Sequence, residues 1–193
     1  MANLYLPRWV VVLAVMFSPF VSSGWGQTYE IDPAHSSIDF KIRHLGISWV
    51  RGSFGEFSGT VSLDASQPEK SRIDVTVKAA SINTNNDKRD GHLRSEDYFS
   101  VEKHPTLTFT ATSIKKIAEN TYEAVGNFTM LGVSKPITIT LTDAGEIEAQ
   151  GQTRRGAEVS EFTIKRSEFG MNENIGPIGD TVHIYLAFSA VKK

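Results

Sequence analysis

The chain has 193 residues, with 20 Lys+Arg against 22 Asp+Glu, no cysteine and 40% hydrophobic residues. The absence of cysteine excludes disulfides, thiolate metal sites and a Cys nucleophile. The mild negative charge argues against a nucleic-acid binder, which needs a basic patch or stripe.

Residues 1–26 carry one basic residue, Arg8, no acidic residue, and an apolar run from Trp9 to Val21 followed by small residues at Ser22, Ser23, Gly24 and Gly26. This is the layout of a secretory signal peptide cut between Ser23 and Gln27. The rival reading is a membrane anchor, but the run is shorter than the roughly 20 residues a span needs, and Pro19 interrupts it. Cleavage leaves residues 27–193 as one domain. Lys+Arg falls to 19 with the loss of Arg8, against 22 Asp+Glu, for a net charge of −3.

The mature chain opens on Tyr29-Glu-Ile-Asp-Pro-Ala-His35, and a strand follows in which Ile38, Phe40 and Ile42 alternate with Asp39, Lys41 and Arg43. Such alternation belongs to an antiparallel sheet with one face hidden from water. His44 ends that strand on the apolar face. Further strands follow at Phe57–Leu63, Arg72–Ala79, Thr106–Ala111, Thr121–Met130, Ile137–Thr142 and Val182–Ser189. Their outward positions are rich in threonine, which suits a pleated, solvent-facing surface. Residues 146–165 read as one more strand, bent or bulged where the alternation slips between Val159 and Phe162. Gly132, Lys135-Pro136, Asp143-Ala-Gly145 and Gly176-Pro177 are turn signals. About eight strands, short connections and no long helix favour a closed antiparallel β-barrel, with a sandwich as the alternative.

Ser81–Pro105 breaks the alternation. Asn85, Asn86 and Asp87 cap a short helix through Leu93, and Ser95 caps another turn through Phe99. This segment reads as a lid over one barrel end or as a plug against water. Its charges (Asp87, Lys88, Arg89, Asp90, Arg94, Glu96 and Asp97) form a solvated face of mutual ion pairs or a collar around a polar headgroup.

Motifs for catalysis are missing: there is no Gly-x-Ser-x-Gly elbow, phosphate-binding loop or His-Glu-x-x-His helix. The five histidines form no close metal-ligand pair. His44 is either a hydrogen-bonded barrel histidine or a contact for a ligand head at the rim, and His92 has a surface role by default. Small residues at the inward positions Gly59, Ala79, Ala111, Ala124 and Gly126 either leave a hollow or interlock with large neighbours.

The ordered motifs resemble the YceI-like, polyisoprenoid-binding family over nearly the whole mature chain. They include Ile31-Asp-Pro-Ala-His-Ser-Ser-Ile38, Arg43-His-Leu-Gly-Ile47, Arg51-Gly-Ser-Phe54, Phe57-Ser-Gly-Thr-Val61 and Ala80-Ser-Ile-Asn-Thr84. Arg89-Asp-Gly-His-Leu-Arg-Ser95, Tyr98-Phe99, Val101-Glu-Lys-His-Pro105, Phe162-Thr-Ile-Lys-Arg166, Glu168-Phe-Gly170 and Ile178-Gly-Asp180 complete the set. The family commonly has an apolar residue at the place of Glu158 and Asp at the place of Glu168, which puts one wall of the barrel in question.

The resemblance implies an all-β, lipocalin-like barrel of about eight strands that holds an isoprenoid or quinone-like lipid, without catalysis, in the bacterial periplasm. No other cofactor is required. Leaving water supplies the driving force, at roughly 25 cal/mol per Å² of apolar surface. The tunnel residues are then Phe40, Ile42, Phe57, Val75, Phe109, Phe128, Ile139, Ile184 and Leu186. The head falls to His44, Arg43, Asn85, Asp87 and Arg89, with Arg43 the least suited because alternation points it outward. Two other readings stay open. One is a lipid-modifying hydrolase pairing His44 with Asp87, and the other is a solidly packed barrel serving as a stress-related interaction module. Neither nucleic acid nor stable membrane insertion is expected after cleavage, and monomer and homodimer are both open.

Overall fold

The period-two patterns dictate extended strands with one buried face, and eleven strands form in the computed structural model, which describes residues 27–64 and 66–193. They are β1 (Thr28–Ile31), β2 (Ser37–His44), β3 (Ser48–Phe54), β4 (Phe57–Ser62), β5 (Arg72–Lys78) and β6 (Ile82–Asn83). After the helix α1 (Asp87–Arg94) come β7 (Thr106–Ala118), β8 (Thr121–Met130), β9 (Val133–Ala149), β10 (Gln152–Lys165) and β11 (Ile178–Lys192). The signal-peptide reading of 1–26 lies outside the described residues.

All eleven belong to one antiparallel sheet in the order β1-β4-β5-β7-β8-β9-β10-β11-β2-β3-β6, closed by pairing between β1 and β11. The barrel has eight staves because β1 and β2 act as one broken stave, as do β3 and β4. Asp32 makes the first break. Its carboxylate accepts from the Ala34 amide at the start of a 3-10 turn over Pro33–His35, and the chain then resumes along the same neighbour. β11 spans that break, holding β2 through Ile178–Ala187 and β1 through Ala190–Lys192.

Alternation is cleanest in β5, where Ile73, Val75 and Val77 are buried between exposed neighbours. Three hairpins turn on an X-Gly pair with both residues at positive φ: Leu45-Gly46, Leu131-Gly132 and Gln150-Gly151. At Leu131-Gly132 and Gln150-Gly151 that is the two-residue loop whose twist matches its flanking strands, whereas Leu45-Gly46 is followed by Ile47 before pairing resumes at His44 and Ser48.

The structure departs from the sequence reading in several places. Lys135-Pro136 and Asp143-Ala-Gly145 are not turns: β9 runs through both, with Lys135 and Pro136 paired to Phe128 and Asn127 of β8 and a register shift at the second stretch opposite Gly156/Ala157. Residues 146–165 are therefore the end of β9 and all of β10, joined at Gln150-Gly151, although the expected bulge between Val159 and Phe162 is present. β1, β3 and β6 were not expected. Of the two readings of the inward glycines, interlocking with large neighbours holds. A Cβ on Gly126 would lie 2.5 Å from the Phe109 ring, and one on Gly59 would lie 2.4 Å from the Asp74 carbonyl and 3.0 Å from Ile31. Glu158 is exposed, opposite Thr142 and Ala187, so it leaves the inner wall intact. Glu168 pairs with Lys135 at 3.7 Å on the surface.

The Ser81–Pro105 segment forms the expected helical cover. Asn86 caps α1 by accepting from the Arg89 amide at 2.9 Å. Its charges do not form a solvated face of mutual pairs. Arg94 donates to the carbonyls of Ala80 and Ile82 at 2.7 and 2.8 Å. Asp90 is buried and accepts from both the amide and the hydroxyl of Thr84. Three of the charges thereby fasten the helix to β6 and its flanks, since Arg89 also grips Thr84. Phe99 meets Phe54 edge-on at 5.8 Å, joining the cover to the barrel wall.

Candidate functional site

The barrel encloses a chamber of about 370 Å³, in the range of small-molecule sites, which run from roughly 300 to 1,000 Å³. Every stave contributes to its wall, and the wall is almost entirely aliphatic and aromatic. An eight-stranded barrel is wide enough to hold one small ligand where its inward side chains do not fill it, and here large residues pack sideways onto neighbours. Phe109 lies over Gly126, and the Phe40 ring lies where a Gly52 Cβ would be, at 2.4 Å. Glycine lets the rings lie flat against the wall rather than project across the bore.

Eight of the nine expected tunnel residues line the chamber: Phe40, Ile42, Val75, Phe109, Phe128, Ile139, Ile184 and Leu186. Phe57 does not. It is buried in the core, opposite Val77, and forms no part of the chamber wall. Of the expected head residues, Arg43, His44 and Arg89 reach the chamber, whereas Asn85 and Asp87 stay outside it. Asn85 sits at φ 60° in the exposed turn before the cap, and Asp87 occupies the exposed first turn of α1. Their turn geometry faces them away from the bore. No hydrogen bond or ion pair joins His44 to Asp87 among the described residues, so the acid–base pair of the hydrolase reading is not formed.

The chamber has two unlike ends. At the lid end Arg43, His44, Arg89 and His92 are exposed and also line the chamber, which makes this end its mouth. Arg89 is held by two bonds to Thr84, Nε to the hydroxyl at 2.7 Å and Nη2 to the carbonyl at 2.8 Å. His92 packs edge-on against Tyr98 at 5.0 Å, and its Nε2 lies 2.9 Å from an Asp97 carboxylate oxygen. His92, Tyr98 and Phe99 were missed as lining residues because nothing in a loop sequence reports which side faces inward. Arg43 lays its guanidinium over Trp49 at 4.0 Å on the outer face, as its alternation requires.

Nearby, Arg166 is only 2% exposed and donates to three backbone carbonyls, those of Gly179, Met171 and Ile178, at 2.9 to 3.2 Å. Burial lowers its pKa. The side chain fixes the loop between β10 and β11 beside the mouth.

The far end is closed by Tyr29 and Arg155. Arg155 grips Asp143 through two bonds, at 2.9 and 2.5 Å, and Tyr29 donates to Glu146. Burial pushes the Asp143 carboxyl up, but the Arg155 guanidinium and the Gly145 amide outweigh it and hold the group below its usual range. Burial, reinforced by Glu146, raises the Tyr29 phenol. This network plugs the bore with satisfied polar groups. Among the described residues, no cluster of His, Cys, Asp or Glu could hold a metal ion, and no helix is long and apolar enough to cross a membrane.

A closed antiparallel barrel with an oily chamber, a cationic mouth and a helical cover defines a lipocalin-like class. More narrowly, the chain belongs to the YceI-like domain family, whose pattern matches residues 29–190. It is 39% identical over 168 residues to a UPF0312 protein of Ectopseudomonas mendocina, covering 86% of this chain and 87% of that one. It is 35% identical over 182 residues to one from Pectobacterium atrosepticum, covering 93% and 94%. Among solved structures, a Campylobacter jejuni YCEI protein is 34% identical with a TM-score of 0.70, covering 84% of this chain and 96% of that one. A polyisoprenoid binding domain from Saccharophagus degradans shares the fold at 15% identity, with a TM-score of 0.67 and coverage of 86% and 99%.

Proposed function

We propose that the chamber holds the tail of one long-chain amphiphile, of isoprenoid or quinone-like class, and that the protein sequesters or carries it without chemical change. The observation that carries this reading is the enclosed apolar chamber, open at one end among cationic groups. An isoprenoid tail in that space leaves water, and each Å² of apolar surface removed contributes roughly 25 cal/mol. The head emerges beside His44, Arg89 and His92, whose donors suit the oxygen atoms of a phosphate, carbonyl or quinone, while the Arg43 guanidinium lies on the outer face over Trp49. The ligand class is also the one named for the Saccharophagus degradans domain, although at that identity the likeness supports the fold alone.

The chamber weighs against the packed-barrel alternative. The separation of Asp87 from it weighs against the hydrolase alternative. The protein acts outside the cytoplasm, in the periplasm, after loss of residues 1–26. The test is native mass spectrometry of the gently purified exported protein, then solvent extraction and identification of the bound molecule. A bound isoprenoid amphiphile at one per chain is the expected result. An empty protein that takes up no added polyprenol or quinone would overturn the reading.

A further inference from the structure

Seven large apolar side chains stand exposed among the described residues, and four of them gather at one place beside the mouth. Leu45 (57% exposed) and Ile47 (83%) occupy the β2–β3 turn, and Trp49 (36%) begins β3 on the outer face. Ile175 (45%) lies on the loop before β11. The two loops touch: the Leu45 amide donates to the Pro177 carbonyl at 2.6 Å, Ile175 bridges to Ile178, and Ile178 is the register partner of His44. The other three, Ile117, Val133 and Ile147, are spaced singly along β7 and β9, which is ordinary for a soluble surface.

We infer that this tip is a membrane-docking surface that seats the mouth of the barrel on a bilayer containing anionic phospholipid. The apolar residues project from two convex turns, a shape that enters lipid more readily than it fits a protein groove. Trp49 combines an apolar ring with a polar N–H, the amphipathic character suited to a membrane interface. Arg43, stacked on that ring, has no ion-pair partner among the described residues. Lys41, also near the ring at 5.5 Å, shares Glu161 with His183. Glu173 adds one negative charge to the same loop, and the cations of the mouth offset it. The Arg43 guanidinium, held on the Trp49 ring beside the exposed isoleucines and free of an ion-pair partner among the described residues, favours an anionic lipid surface. The position places the chamber's opening against the membrane, where an amphiphile could pass between the two without crossing water.

The inference deepens the carrier reading and rests on it for its purpose, but its test is separate. Flotation of the purified exported protein with phosphatidylglycerol-containing vesicles should show binding that weakens with added salt and is lower on phosphatidylcholine alone. Ile47→Glu should reduce partitioning by roughly tenfold or more, the scale of withdrawing one exposed isoleucine from lipid. Ile147→Glu, equally drastic but at the opposite end, should leave partitioning unchanged. Failure of the wild-type protein to float, or equal flotation of the two variants, would overturn the proposal. So would a change of oligomeric state by Ile47→Glu without any vesicle binding, which would assign the tip to a second copy of the chain. Native mass spectra of the same samples separate the two ideas. Ligand retained without flotation sinks only the docking surface, and flotation without any ligand sinks only the carrier reading.

Discussion

Replacing Phe128 by Asp places a carboxylate in the chamber wall and tests whether that wall is what holds the ligand. Phe128 lines the chamber, and its ring meets Phe169 edge-on at 5.3 Å. Two costs follow. Loss of the aromatic contact removes about 0.5–1.5 kcal/mol of stability beyond simple area burial. A carboxylate facing an apolar tail must stay desolvated or become protonated, and burial of this kind raises its pKa by up to roughly 3–5 units. Neutralising it at pH 7, about three units above the ordinary carboxyl value, therefore costs the complex about 4 kcal/mol, corresponding to weakening by roughly a thousandfold. Phe128→Leu keeps an apolar wall and loses only the ring contact, so it should retain ligand near the wild-type level. Lys78→Ala removes a surface pair with Glu56 in which both side chains are more than half exposed; its effect on ligand should be nil. The assay is native mass spectrometry beside circular dichroism, at pH 7 and pH 5. The Asp variant should be folded and empty at pH 7 and should recover part of its ligand at pH 5. Equal retention by Phe128→Asp and Lys78→Ala at pH 7 would refute the reasoning.

Three further outcomes are expected. Asp143→Asn should lower stability by roughly 3 kcal/mol, read by denaturant unfolding, because it removes the bidentate counter-charge of the Arg155 guanidinium at the closed end and leaves only Glu146, at 4.0 Å. Gly126→Ala should cost about 1–3 kcal/mol, as its Cβ would stand 2.5 Å from the Phe109 ring and 2.6 Å from the Thr110 carbonyl. A displaced Phe109 should also narrow the chamber and lower ligand occupancy in the same mass spectra. On acidification, Asp32 is held at about 2 by Arg154 first and His35 second, and Asp64, Asp143, Glu161 and Asp180 are likewise lowered. A carboxyl with a depressed folded pKa stabilises the fold above its unfolded value and loses that contribution as pH falls through the folded one. Melting temperature should therefore hold near neutrality and fall between about pH 4 and pH 2. A rise in that interval would contradict the assignment.

The barrel was legible because one buried face imposes a two-residue rhythm, which β2, β5 and β8 keep without interruption. β3 escaped because its sequence, Ser-Trp-Val-Arg-Gly-Ser-Phe, puts its tryptophan outside and a glycine inside, under the Phe40 ring. β1 has only four residues and gains its place from β4 and β11 rather than from its own pattern. The extent of β9 was hidden because Gly145 reads as a turn yet takes its positive φ of 95° within a bulge. For the chamber, the wall residues followed from alternation, but the explanation of the hollow did not. Small inward residues were the visible signal, and aromatic side chains that long-range pairing brings over them use up that space. Arg89 and Thr84 join only because Asn86 caps a helix that returns over β6, a geometry set by tertiary contacts that local sequence does not encode.

The double grip of β11 on the first two strands bears on when the fold can form. β1 begins at Thr28 and finds its partner near Lys192, almost the full length of the chain away. The circle of staves cannot shut until the final residues are available, and a fold dominated by such distant pairings forms slowly. A polypeptide threaded through a translocation pore, amino end first, would arrive on the far side with its closing stave last. On the proposed export route, completion on the near side would thereby be delayed, and the oily interior would first take shape after passage.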